Sequence, residues 1–120
     1  METLYEKIGQ EQLHKMVDRF YDEVFASPVI RHLFQSDKDE IKAKQEAFLT
    51  QFLGGPQLYS MQHGHPKMRM RHLPHEIDTT AKEEWLRCMK IAIYSLDLSE
   101  ELKTAVYNCF PPLAQHMVNR

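Results

Sequence analysis

Apolar side chains recur at three- and four-residue intervals along most of this chain, the period of a helix with one buried face. The clearest run is Leu13, Met16, Val17, Phe20, Tyr21, Val24 and Phe25, which predicts a helix from about Gln10 to Ala26, ended by Pro28. A short helical turn around Val29 to Phe34 is expected next, with Leu33 and Phe34 pointing inward. Ile41, Gln45, Phe48, Leu49, Phe52 and Leu53 then share one face of a helix that opens near Asp37 to Asp39. Gly54-Gly55-Pro56 stops it, because glycine supplies the capping conformation and proline cannot continue the helix. Residues 57–66 show no such period and read as an extended loop. Between Pro66 and Pro74 there is room for about two turns of helix, over Lys67 to Leu73.

Thr80-Ala81-Lys82-Glu83 has the form of a capping box and predicts a helix to about Leu96. Its inward stripe is Ala81, Trp85, Cys88, Met89, Ala92, Ile93 and Leu96. Ser99 is the expected cap of the last helix, whose apolar positions are Leu102, Val106, Cys109, Phe110, Leu113, Met117 and Val118. Pro111-Pro112 should bend or break it. The pattern predicts an all-α fold of four substantial helices packed as a helical sandwich, in one domain over residues 1–120.

Composition narrows the function classes. With 42% hydrophobic residues the chain has enough apolar material for an ordered core. Its net charge of −2 is spread along the sequence, so no basic face for nucleic acid stands out. No apolar run approaches the ~20 residues of a membrane span, and the first residues lack a signal-peptide pattern. A cytoplasmic protein is the expectation. Cys88 and Cys109 fall inside predicted helices without CxxC spacing and read as small core residues.

Three inward positions carry hydrogen-bonding groups. Tyr21, Gln45 and Trp85 lie on the apolar stripes of three different helices. Taken singly, Tyr21 and Trp85 read as core aromatics with polar tips at the surface, and Gln45 as a boundary residue. Burying the Gln45 amide unpaired would cost on the order of 1–3 kcal/mol. If the three faces meet, they form an apolar cleft with a few convergent polar groups, the character of a small-molecule or cofactor site.

Four of the seven histidines, His63, His65, His72 and His75, lie within thirteen residues. Their spacing invites zinc, most directly at His63 and His65, but no Cys, Asp or Glu is interleaved before Glu76. His14, His32 and His116 read as surface or packing residues with no partner indicated. His72 is different: it sits in the proline-bounded segment, flanked by Met68, Met70 and Leu73. Haem iron needs a single neutral imidazole and a large apolar slot. Phe34, Phe48, Phe52, Met68, Ile77 and Met89 could line that slot, and Lys44, Arg69 and Arg71 could pair with propionates, or be ordinary solvated charge. No CxxCH occurs, so such a haem would be non-covalent. A helical ligand- or partner-binding module in which His72 is structural is the alternative from a different class.

At the level of motifs the chain resembles the group II truncated haemoglobins, the small two-over-two globins of bacterial type. The resemblance rests on Phe20-Tyr21, the run Phe48 to Pro56, Tyr59, Gly64-His65-Pro66, the run Arg69 to Pro74, the run Trp85 to Met89, and His116-Met117-Val118-Asn119. It implies a truncated globin fold, non-covalent haem b, and His72 as the proximal ligand to its iron. It also implies that Tyr21, Gln45 and Trp85 are the distal polar residues, and that Phe34 packs on the haem. Ile41 falls where full-length globins carry a distal histidine, and Lys44 at a propionate-pairing position. His75 stands where the family usually has phenylalanine, and Pro111-Pro112 interrupts a usually continuous last helix. The implied ligands are O2, NO, CO or peroxide, with slow O2 release. Scavenging, sensing, NO-dioxygenase-like or peroxidase-like chemistry follows better than bulk oxygen transport, with a reductase as a partner class. The protein is expected as a monomer or homodimer.

Overall fold

The computed structural model describes residues 2–35, 37–64 and 77–119. Among them the chain is helical, with no strand: α1 (Leu4–Ile8), α2 (Gln10–Ala26), a 3-10 turn (Arg31–Leu33), α3 (Lys38–Phe52), α4 (Leu58–His63), α5 (Thr79–Tyr94), α6 (Glu100–Tyr107) and α7 (Phe110–His116). Helix α2 packs most extensively on α5 and next on α3. α2 and α3 form one layer, and α5 with the α6–α7 pair forms the other: the helical sandwich expected from the periodicity, in the two-over-two form that the resemblance implies. No helix of the described residues is long and apolar enough to cross a membrane.

The core follows the apolar stripes. Leu13, Met16, Val17, Phe20, Tyr21 and Val24 of α2 are buried, as are Ala81, Cys88, Met89, Ala92 and Ile93 of α5. Each aliphatic or aromatic side chain removed from water in this way contributes about 1.5–3 kcal/mol. Cys88 and Cys109 are both free thiols, and burial pushes both thiols up from their ordinary range. Lys103 is a buried cation that the periodicity did not reveal. Its Nζ donates to the carbonyl of Tyr94 at 3.3 Å, meeting one of the carbonyls left open at the end of α5.

Three boundaries differ from the sequence expectation. The stretch read as an extended loop contains α4, a helix too short to show a period. Its first turn has no cap of its own: the Gln51 side chain of α3 accepts from the Ser60 N–H at 2.9 Å and donates to the Ser60 hydroxyl at 2.8 Å. At the start of α5 the cap is Asp78 rather than Thr80, with the Asp78 carboxylate accepting from the Ala81 N–H at 2.8 Å. A charged acceptor at that position is also favoured by the helix dipole. The same helix ends at Tyr94, two residues earlier than expected. Ser99 caps α6 as anticipated, and the proline pair divides the last helix in two. The prolines fall in the first turn of α7, where no intrahelical donor is missed.

Glycines 54 and 55 do more than end α3. A Cβ on Gly55 would lie 2.7 Å from the Tyr5 ring, so this position lets α1 close over the end of α3. The Tyr5 N–H then donates to the Leu53 carbonyl at 3.0 Å.

A polar clamp ties the end of α2 to α5 beside Trp85. Buried Ser27, at the C-terminus of α2, donates its hydroxyl to Glu84 at 2.5 Å, and Arg87 donates two hydrogen bonds to the same carboxylate at 2.7 and 2.8 Å. These donors, Arg87 first, hold the Glu84 carboxyl down at about 2. On the other flank of α2, His14 bonds Glu46 of α3 at 2.6 Å, a partner that the sequence did not indicate. The Glu46 hydrogen bond raises the His14 pKa.

Two outcomes follow. Asp78→Ala should cost about 1 kcal/mol and lower Tm by about 4 °C in calorimetry, whereas Thr80→Ala should stay within about 0.5 kcal/mol of the parent. Glu84 is a carboxyl with a depressed folded-state pKa, so its stabilisation is complete above its ordinary value of 4.5 and drains away as pH falls through about 2. Denaturant titrations should therefore show the parent's advantage over Glu84→Gln shrinking across that window; parallel curves would contradict the clamp.

Candidate functional site

The two layers enclose a cavity of about 410 Å3 between α2, α3, α5 and α7. Its walls are mostly apolar, built from the residues that the helical period points inward. Tyr21, Ile41, Phe48 and Ile77 are among them, with Phe34 from the end of the 3-10 turn and Tyr59 from α4. This volume and character match sites that take small organic ligands and cofactors.

Three hydrogen-bonding side chains break the apolar lining, and they come from three helices. Tyr21 of α2, Gln45 of α3 and Trp85 of α5 all face the cavity. None of the three side chains hydrogen-bonds to another described residue. Yet among the described residues no fully buried side-chain N or O atom lacks a partner. The three groups are thus held at the cavity rather than sealed in the core.

Aromatic packing fixes where they point. Phe20, fully buried, meets Tyr21 edge-on at 4.9 Å and Trp85 edge-on at 5.2 Å between ring centroids. Trp85 also contacts Phe110 of α7 at 5.9 Å, and Tyr21 contacts Phe34 at 5.9 Å. Such edge-to-face pairs contribute about 0.5–1.5 kcal/mol each beyond the area buried. Tyr21 is only 3% exposed, and burial pushes its phenol well above the ordinary range. At neutral pH it remains protonated and can donate a hydrogen bond.

The cavity brings together Tyr21, Phe34, Ile41, Lys44, Gln45, Phe48, Tyr59, Ile77 and Trp85 from the sequence reading. Lys44 stands exposed at the rim. Two expected lining residues sit elsewhere. Phe52 stacks on Phe48 at 5.7 Å and leans on Phe110 at 5.6 Å, so it supports the wall from behind. Met89 is fully buried in the core one turn beyond Trp85, outside the cavity lining. His72, Met68, Arg69 and Arg71 lie outside the described residues, as do His65 and His75. Among the described residues no group of three or more His, Cys, Asp or Glu is placed to hold a metal ion.

Sequence reasoning missed part of the lining. Leu113, Ala114 and Met117 of the chain's last segment contribute to the cavity, as do Ile30 and Ala81. Most were legible as inward positions, but nothing local to them said that they would face a void. Lys82 also lines the cavity, with its ammonium donating to Gln115 at 2.8 Å. It gave no sequence signal.

The comparisons with known proteins agree with one another. The bacterial-like globin family model matches residues 3–119. The chain is 44% identical over 116 residues to the group 2 truncated hemoglobin YjbI of Bacillus subtilis, covering 97% of this chain and 88% of that protein. In three dimensions it is similar to the group II truncated hemoglobin of Bacillus anthracis, with TM-score 0.94, 41% identity, and coverage of 99% of this chain and 92% of that one. It is likewise similar to a truncated oxygen-avid haemoglobin from Bacillus subtilis, with TM-score 0.93, 43% identity, and coverage of 98% and 100%.

Proposed function

This chain belongs to the bacterial-like globins and, within them, to the group II truncated haemoglobins, and from that premise we propose that it binds haem b non-covalently and retains O2 beside Tyr21, Gln45 and Trp85. The observation that carries this reading is the set of three hydrogen-bonding side chains, from three helices, facing one apolar cavity without a hydrogen-bond partner among the described residues.

The residues fit the group. A flat apolar macrocycle suits walls of Phe34, Ile41, Phe48, Ile77 and Met117, and the cations Lys44 and Lys82 at the cavity suit anionic propionates. His72 would hold the iron, with Arg69 and Arg71 as further propionate partners. Haem, when bound, supplies a ferrous iron with a coordination position open to O2 and other diatomic ligands.

The chain's own chemistry lies in how it treats such a ligand. The Tyr21 hydroxyl is kept protonated by burial, the Trp85 indole can only donate, and the Gln45 amide offers a donor and an acceptor. An O2 molecule that gains negative charge is stabilised by these donors, more strongly in a low-dielectric cavity than in water. Slow release follows, and with it a role in scavenging, sensing, NO or peroxide chemistry rather than bulk transport. The description of the similar Bacillus subtilis protein as oxygen-avid supports the same direction. A reductase would be needed to return the iron to its ferrous form during turnover, and we place the reaction in the cytoplasm.

Reconstitution with hemin should give a Soret band, lost or altered in His72→Ala. Stopped-flow release of O2 should accelerate in Tyr21→Phe, Gln45→Leu and Trp85→Phe by roughly 5- to 100-fold each, the range expected for a lost hydrogen bond in a dry site. Unchanged release in all three would overturn the distal assignment, and a protein that takes up no hemin would overturn the haem reading itself.

A further inference from the structure

Ser27 is only 2% exposed, at the junction where α2 gives way to the turn that leads to Phe34. Pro28 follows it, and a residue before proline is pushed to extended backbone, as Ser27 is at φ −90° and ψ 116°. That conformation commits every polar atom of the residue. Its N–H donates to the Val24 carbonyl and its carbonyl accepts from the Arg31 N–H, both at 3.0 Å. Its hydroxyl accepts from the Val29 N–H at 3.3 Å and donates to Glu84, 57 residues further along the chain. Three of these bonds stay inside the junction and shape the turn. The fourth crosses to α5, and closing a turn does not require it.

The two ends of that fourth bond stand behind different walls of the cavity. On one side, the turn delivers Ile30, Leu33 and Phe34 to the lining, and the Phe34 ring meets Tyr21 at 5.9 Å. On the other, Glu84 immediately precedes Trp85, and two bonds from Arg87 keep its carboxylate aimed. The Glu84 side chain is 15% exposed, so water competes little for the Ser27 bond. We propose that Ser27 is a positioning residue for the distal groups: its hydroxyl, through Glu84, fixes the Phe34 wall against the helix that carries Trp85. With the bond in place, Tyr21 and Trp85 present their donors to a ligand in one relative geometry. Without it the turn loses a direct polar tie to α5, and the two donors lose a common reference. The proposal deepens the haem reading and rests on it for its effect on O2.

The test uses the full chain, loaded with hemin and reduced. Ser27→Ala removes the hydroxyl and leaves both Arg87 bonds to Glu84. It should release O2 roughly threefold faster than the parent, the lower end of what one lost hydrogen bond gives. Ultraviolet resonance Raman of Trp85, the only tryptophan, reads the indole torsion, and its torsion-sensitive band should shift in Ser27→Ala with and without hemin. Ser99→Ala removes the cap of α6, a hydrogen bond placed outside the cavity lining, and should leave band and release unchanged. The deciding arm repeats Ser27→Ala in Glu84→Ala protein. There the serine has no acceptor on α5, so its removal should no longer change either readout.

Parental release in Ser27→Ala, or an unmoved Trp85 band, would overturn the proposal. So would an equal response in Glu84→Ala protein, which would confine Ser27 to its own turn. An equal response to Ser99→Ala would also overturn it, by marking a loss of general stability. Failure of the haem reading looks different: the parent itself would take up no hemin, while the Trp85 band of the unloaded chain would still separate Ser27→Ala from the parent.

Discussion

The contact of α2 with α5 through Phe20 sets the direction of the polar groups in the cavity. Phe20 is fully buried and lies edge-on to Trp85, so the rotation of α2 relative to α5 is fixed by one ring against another. Tyr21 follows it by one residue, about 100° further around the helix. That single step moves the side chain from the inter-helix contact to the cavity wall while the two rings remain 4.9 Å apart. The Ser27–Glu84–Arg87 clamp closes the same pair of helices at the end of α2, next to Trp85 in the chain. Aromatic packing and the clamp together leave α2 and α5 little freedom to slide, and the phenol and indole inherit that rigidity.

Holding three hydrogen-bonding groups at an apolar cavity has an energetic consequence. A polar group withdrawn from bulk water without a partner costs about 1–3 kcal/mol, so the lining of Tyr21, Gln45 and Trp85 is poor design for a chain that only needs to fold. No fully buried side-chain N or O atom of the described residues lacks a partner, even at awkward positions such as Lys103, which finds the Tyr94 carbonyl. Polar groups that keep to this rule by facing a cavity instead of a protein partner mark that cavity as the site. It also implies that a ligand satisfying these groups adds stability by mass action, so that folding and loading are coupled.

How much of this was legible in the sequence depended on whether the deciding interaction was local. The bounds of α2 could be read to the residue, because its stripe is long and Pro28 lies just past its end. The three polar positions of the cavity were visible for the same reason: each interrupts a strong apolar period. Helix α4 was not visible, since its six residues are too few for a period and its first turn is capped from α3 by Gln51. The Asp78 cap was obscured by a better-looking box two residues on. Phe52 and Met89 show the limit on the site itself. A stripe says which residues are inside, but only the packing of several helices says which of them face the void.

The last segment carries this further, because its role could not be read from any single stretch. Pro111-Pro112 looked like damage to a helix that should be continuous. In the structure the prolines occupy the first turn of a new helix, where a missing N–H and a fixed φ are assets. Had α6 run on without a break, the residues after Tyr107 would follow its axis, and nothing would direct Leu113, Ala114 and Met117 to the cavity. The break therefore does what a loop does elsewhere, at the cost of only two residues outside a helix, Asn108 and Cys109. The segment after the break serves both as cavity wall and, through Asn119, as backbone partner to Ile77.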